Sequence, residues 1–91
     1  MKKLIILVLF LLISLLSFSQ RIQERYFENL FADDIKGETE VTLSDRSRVD
    51  IITDTFAIEV DFAKKWAESI GQSLFYSYAL NKKPGILLIT T

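Results

Sequence analysis

Asp50, Glu59 and Asp61 stand in the stretch RVDIITDTFAIEVDF, on segments that alternate apolar and polar residues. The alternation is that of β-strands, so Glu59 and Asp61, two apart, share one face of one strand. Glu40 joins them through register. Val41 and Leu43 share a core with Val49 and Ile51 only if the turn between them holds an odd number of residues. A Ser44-Asp45-Arg46 loop satisfies this and sets Glu40 opposite Asp50. Like charges facing each other across a ladder repel. Either this face is open to water and its carboxylates are simply hydrated, or it is partly covered and they answer to a cation. Hard divalent ions such as Mg²⁺ prefer oxygen ligands of this kind.

The segment that follows adds other functional groups. Lys64, Glu68, Gln72 and Tyr76 recur at four-residue steps, with Lys65 beside the first. On a helix they form one slowly drifting line of amine, carboxylate, amide and phenol. Without a ligand the same line is a solvated face with a Lys64–Glu68 pair, worth a few tenths of a kcal/mol. With one, it leans over the carboxylates.

Composition narrows the chemistry further. The chain has no histidine and no cysteine, which excludes Ser-His-Asp and Cys-His catalysis and His-ligated zinc. It also excludes a disulfide staple. Carboxylates, lysines, hydroxyls and amides are what remains.

These residues need elements to hold them. Within QRIQERYFENLFADDI, residues 20–35, Ile22, Tyr26, Phe27, Leu30 and Phe31 recur at helical spacing, and the reading is an amphipathic helix ended by Gly37. ETEVTL, RVDIIT and TFAIEVD alternate as three strands. The short SDRS and TDT turns between them imply an antiparallel meander. FAKKWAESIGQSLFYSYAL reads as a second helix with Phe62, Trp66, Ile70 and Leu74 on its core stripe, widened by Ala67 and Tyr78. NKKPG breaks that helix at Pro84 and Gly85. ILLIT, apolar throughout, reads as an inner strand covered on both faces. Entered by a helical crossover, it should lie parallel to an earlier strand. The fold class is therefore α/β (α+β) with a mixed sheet, in the order helix, three-strand meander, helix, strand.

That order, with Asp on the second strand and Glu-x-Asp on the third, resembles the core of the PD-(D/E)XK phosphodiesterase, or restriction-endonuclease-like, superfamily. Val49-Asp50, a spacer, and Ile58-Glu59-Val60-Asp61 match its Asp…Glu-x-Lys spacing, and Gln72 to Tyr76, QSLFY, resembles the Gln-x-x-x-Tyr element of its exonuclease branch. The resemblance implies that Asp50 and Glu59 ligate Mg²⁺ or Mn²⁺. Glu40, or a first-helix acid such as Glu28, would take the place of the early acidic residue. Gln72 and Tyr76 would orient the nucleic-acid backbone or the metal site, with Glu68 on the same line. The sequence departs from the pattern at Asp61, where the family carries its catalytic lysine. Lys64 or Lys65 could supply the missing ammonium, Asp61 could hold a second metal, or the fold could persist without catalysis. The implied function is metal-dependent hydrolysis of DNA or RNA phosphodiesters. The alternative is an inactive module of the same fold that binds metal, nucleic acid or a protein partner.

The chain opens MKKLIILVLFLLISLLSFSQ: two lysines, an apolar run from Leu4 to Leu16, then Ser17 and Ser19 flanking Phe18. That is the pattern of a secretory signal, residues 1–19, cleaved after Ser19. The apolar run is shorter than the ~20 residues of a typical spanning helix; an uncleaved anchor is the alternative. The expectation is export to a periplasmic or secreted location, with no stable membrane association after cleavage and one small domain over residues 20–91. Without Lys2 and Lys3 that domain has nine basic and twelve acidic residues, a charge of −3, which argues against binding nucleic acid by bulk electrostatics. At this size a single core is marginal, and homo-oligomerisation or metal binding would add stability.

Overall fold

The computed structural model describes residues 1–90; Thr91, the last residue of the expected domain, lies outside them. The elements are α1 (Lys2–Ile35), β1 (Glu38–Thr42), β2 (Arg48–Ile52), β3 (Phe56–Phe62), a 3₁₀ turn (Ala63–Lys65), α2 (Trp66–Leu80) and β4 (Lys83–Ile89). The four strands form one mixed sheet in the order β1-β2-β3-β4, antiparallel up to β3, with β4 parallel to β3. The expected meander and parallel crossover are both present.

The register between β1 and β2 is the expected one, but Val49 and Ile51, expected to share one core, fall in separate clusters on the α2 and α1 sides. Thr39 pairs with Ile51 and Val41 with Val49, so Glu40 stands opposite Asp50. The loop is Ser44-Asp45-Arg46, closed by Leu43 N–H donating to Ser47 O at 2.8 Å. Asp45 accepts the Ser47 N–H at 3.0 Å, and Arg46 takes the left-handed conformation that completes the turn. The second turn is held by Thr53, whose hydroxyl accepts the N–H groups of Thr55 and Phe56.

Alternate residues of β3 face opposite helices. Ile58, Val60 and Phe62 pack with Ile51, Ile89 and Ala32, Phe31 and Ile35 of α1. Ala57 packs with Val49, Leu43 and Tyr76 and Leu80 of α2. The sheet is therefore a middle layer between two helices, and Glu59 and Asp61 fall on the α2 side.

Four expectations about the elements are corrected. First, α1 is continuous from Lys2 rather than starting at Gln20, because no glycine or proline interrupts the chain at the expected cleavage point. Its end is made by Lys36 in the left-handed conformation, with Gly37 N–H donating back to Ala32 O at 2.8 Å. Gly37 itself is needed for space: a Cβ there would lie 2.7 Å from Ile51 Cγ2. Second, the apolar stripe of α1 faces outward except at Phe31. Ile22, Tyr26, Phe27 and Leu30 are exposed, while Glu28 and Ala32 are buried and Glu24, Phe31 and Ile35 half-buried.

Third, α2 is rotated in the same sense. Its buried residues are Ser69, Ser73 and Tyr76, and Trp66, Ala67, Ile70, Leu74 and Tyr78 are exposed. The two serines let the helix sit close on the sheet, and the Ser69 hydroxyl donates to Asp61 Oδ2 at 3.1 Å. That bond and the packing of Tyr76 set the rotation and turn Ile70 and Leu74, each one residue further round, away from the sheet. Phe62 is buried, but as the last residue of β3. Asn81 in the left-handed conformation stops α2, and Lys82 N–H bonds Ser77 O at 2.9 Å. Pro84 and Gly85 therefore lie inside β4 rather than breaking the helix. Fourth, β4 is an edge strand rather than an inner one. β2 already occupies the other side of β3, and the edge tolerates Pro84, which has no N–H to offer.

Candidate functional site

The β2–β3 backbone ladder pairs Ile51 with Ile58 and Ile52 with Ala57. Beyond it, the Asp50 side chain takes over: Val60 N–H donates to Asp50 Oδ2 at 2.8 Å. Around that bond opens a cleft of about 370 Å³, lined mostly by polar side chains from both helices and from β1, β2 and β3. Glu40, Asp50, Glu59, Asp61, Lys65, Glu68, Gln72 and Tyr76 all line it. These are the sequence candidates except Glu28, which adjoins Glu40 and Asp50, and Lys64. Lys64 lies outside the cleft, in a separate hollow with Gln20 and Gln23.

The acids are crowded. One carboxylate oxygen from each of Glu28, Glu40 and Asp50 lies within 4.8 Å of the others. Glu28 is only 4% exposed, and of the two early-acid candidates neither displaces the other: both are in the cluster. Glu40 reaches it through a left-handed backbone, φ 53°, and is held by Arg25 Nη2 at 3.0 Å, with Arg48 Nη1 at 3.7 Å. Arg25 also lies 3.9 Å from Glu28. Two guanidinium groups thus offset part of the charge at the outer side of the cluster.

Glu59 lies beside Asp50, outside that group of three. It is 5% exposed, and its buried Oε1 has no hydrogen-bond partner among the described residues. Burial, reinforced by the charge of Asp50, pushes its carboxyl up to about 8. Glu28 is likewise pushed up to about 8, by burial and then by the charges of Glu40 and Asp50. Asp50 is raised by burial, against the stabilising Val60 N–H. A divalent cation held by Glu28, Glu40 and Asp50 would reverse the shifts of Glu28 and Asp50, and an approach by Glu59 to the same ion would give its Oε1 a partner. The donor set, all carboxylate oxygen, fits Mg²⁺ or Mn²⁺ in kind and carries nothing that singles out either.

Asp61 is differently placed from its neighbours. Its Oδ1 accepts the Phe62 N–H at 2.9 Å and its Oδ2 the Ser69 hydroxyl. It fastens the start of α2 and stands apart from the convergent cluster. Tyr76 is buried against Val49 and Ala57 with its phenol raised by that burial, whereas Gln72 and Glu68 are exposed at the mouth.

Sequence reasoning missed Glu24, Arg25 and the central position of Glu28. Glu24 lines the cleft, and its carboxyl is raised by burial and by Asp61. The signal was Glu24-Arg25 followed by Glu28, charges at i, i+1 and i+4 that set Glu24 and Glu28 one turn apart on one helix face. Of the basic residues that could meet phosphates, Arg48 lines the cleft. Lys82 instead donates to the carbonyls of Thr53 and Asp54, and Arg46 and Lys83 are exposed elsewhere.

No family model matches the chain, and no curated protein or solved structure matches it either. The N-terminal apolar helix has the length and composition of a signal sequence or a membrane anchor.

Proposed function

We propose that the protein is an exported, divalent-metal-dependent phosphodiester hydrolase acting on nucleic acid, in the manner of the PD-(D/E)XK superfamily it resembles. The observation that carries this reading is the buried Oε1 of Glu59, unpartnered among the described residues, in a cleft with Glu40 and Asp50, whose carboxylates converge with that of Glu28. Asp50 and Glu59 would hold Mg²⁺ or Mn²⁺, with Glu40 and Glu28 completing the oxygen set directly or through water. A metal ion there supplies a bound water of lowered pKa and neutralises phosphate charge. Lys65, rather than Lys64, is the ammonium at the cleft and would offset charge developing on the phosphorane. Gln72 and Glu68 at the mouth, with Tyr76 behind them, would orient the sugar-phosphate backbone.

One observation favours a second reading. Asp61 holds the position of the family's lysine and is engaged with α2, which suits an inactive module that binds metal, nucleic acid or a protein partner. The discriminating experiment incubates plasmid, linear DNA and RNA with the full chain and Mn²⁺, beside Glu59→Gln. Metal-dependent cutting lost in the variant supports the hydrolase. Metal binding without cutting of any substrate transfers the protein to the second reading.

A further inference from the structure

The two halves of α1 meet different surroundings. From Leu4 to Phe18 its large apolar residues are exposed on every side of the helix; from Gln20 it joins the sheet. Lys2 to Ser19 is 18 residues, or about 27 Å of helix, close to a bilayer core when terminal lysines reach outward to the headgroups. The helix carries on without a break through Ser17-Phe18-Ser19.

At the level where α1 meets the domain, the structure collects a particular set of residues. Gln20 and Gln23 share a hollow with Phe62 and Ile89, at the ends of β3 and β4, and with Lys64 of the 3₁₀ turn. Arg21 follows Gln20 on α1, and Trp66 opens α2 two residues beyond Lys64; Arg21, Lys64 and Trp66 are all exposed, Trp66 to 57%. Two cations and a tryptophan at the foot of a membrane-length apolar helix are the composition of a bilayer interface. Their charge complements anionic headgroups.

We propose that α1 remains in the bilayer, and that Arg21, Lys64 and Trp66 dock the 3₁₀-turn edge of the domain on an anionic lipid surface. This departs from the expected release after Ser19 and is independent of the chemistry of the carboxylate cleft. The docked edge sets the cleft close to the membrane: Glu24 and Glu28 lie about 8 and 14 Å beyond Ser19 along the helix.

Trp66 is the one tryptophan in the chain and reports directly. The full chain is reconstituted in phosphatidylcholine–phosphatidylglycerol vesicles, with and without lipids brominated high on the acyl chain. Docking predicts about two-fold or greater quenching of Trp66 by the brominated lipid, as for an interfacial indole. Charge reversal in the double variant Arg21→Glu, Lys64→Glu should remove most of that quenching while the chain still sediments with the vesicles. Replacing phosphatidylglycerol by phosphatidylcholine should do the same. Unquenched, water-like emission from the vesicle-bound wild type would overturn the proposal. So would quenching indifferent to both charge changes, or recovery of the protein from its host as a soluble chain beginning at Gln20.

Discussion

At Glu59, burial and charge are in conflict, and the conflict is measurable. The folded-state carboxyls of Glu59 and Glu28 lie near 8, above their ordinary value of 4.5, so between those limits the folded chain binds more protons than the unfolded one. Stability of the metal-free protein should therefore be fully present below about 4.5 and be lost as pH rises through about 8. Urea denaturation at pH 5 and pH 9 checks the sign; equal or greater stability at pH 9 would contradict it. Glu59→Gln, which keeps the shape and removes the charge, should stabilise the metal-free protein by about 1–2 kcal/mol at pH 8–9. It should also abolish any thermal shift with Mn²⁺. Much of this site was legible in the sequence: alternation and turn parity alone placed Glu40 against Asp50. Asp61 was legible as a neighbour but not as a fastener, because its partner, Ser69, belongs to a helix whose rotation the sequence did not reveal.

At the level of the helices, periodicity identified both elements and misassigned their faces. Hydrophobic spacing shows that a stripe exists, and the inference that it faces the core assumes the core is its only apolar neighbour. In α2 small hydroxyl residues took the close contact, and the larger apolar row was left outside. The rotation predicts a contrast opposite to the one read from the sequence. Ile70→Gln and Leu74→Gln should each change stability by only about 0.5 kcal/mol, as exposed positions do. Tyr76→Ala should cost about 3 kcal/mol or more, the usual loss for a buried aromatic. Chemical denaturation of the three variants tests this, and large losses at Ile70 and Leu74 would put the helix the other way round. At the end of α1, Lys36 holds a left-handed conformation that glycine adopts without strain. Lys36→Gly should stabilise by about 0.5–1 kcal/mol, read as a raised melting temperature.

Across the whole molecule, the sheet order and the parallel crossover followed from element order and turn length, which are local signals. The position of β4 did not. ILLIT has the composition of a covered strand, yet it closes an edge, with Ile86 and Leu88 partly exposed. What composition could not convey is that the apolar surface of this chain exceeds what one small core accommodates. The remainder lies along α1, α2 and β4. The principal extent of 55 Å is close to the length of α1 itself, about 51 Å, so a long apolar helix carries a small sheet at one end. Such a molecule places its carboxylates within about three helical turns of the point where the apolar segment stops.

The central claim is that the cluster of Glu28, Glu40 and Asp50, with Glu59 beside Asp50, takes a divalent cation, and calorimetric titration of the full chain with Mn²⁺ tests it most directly. Ligands must lose their protons to bind metal, so affinity should rise steeply from pH 6 to about 8 and level off above the carboxyl values near 8. Binding at pH 8.5 should disappear in Glu59→Gln. A folded wild-type chain that takes up no Mn²⁺ at pH 8.5, or takes it up equally well with Glu59 replaced, would contradict the account.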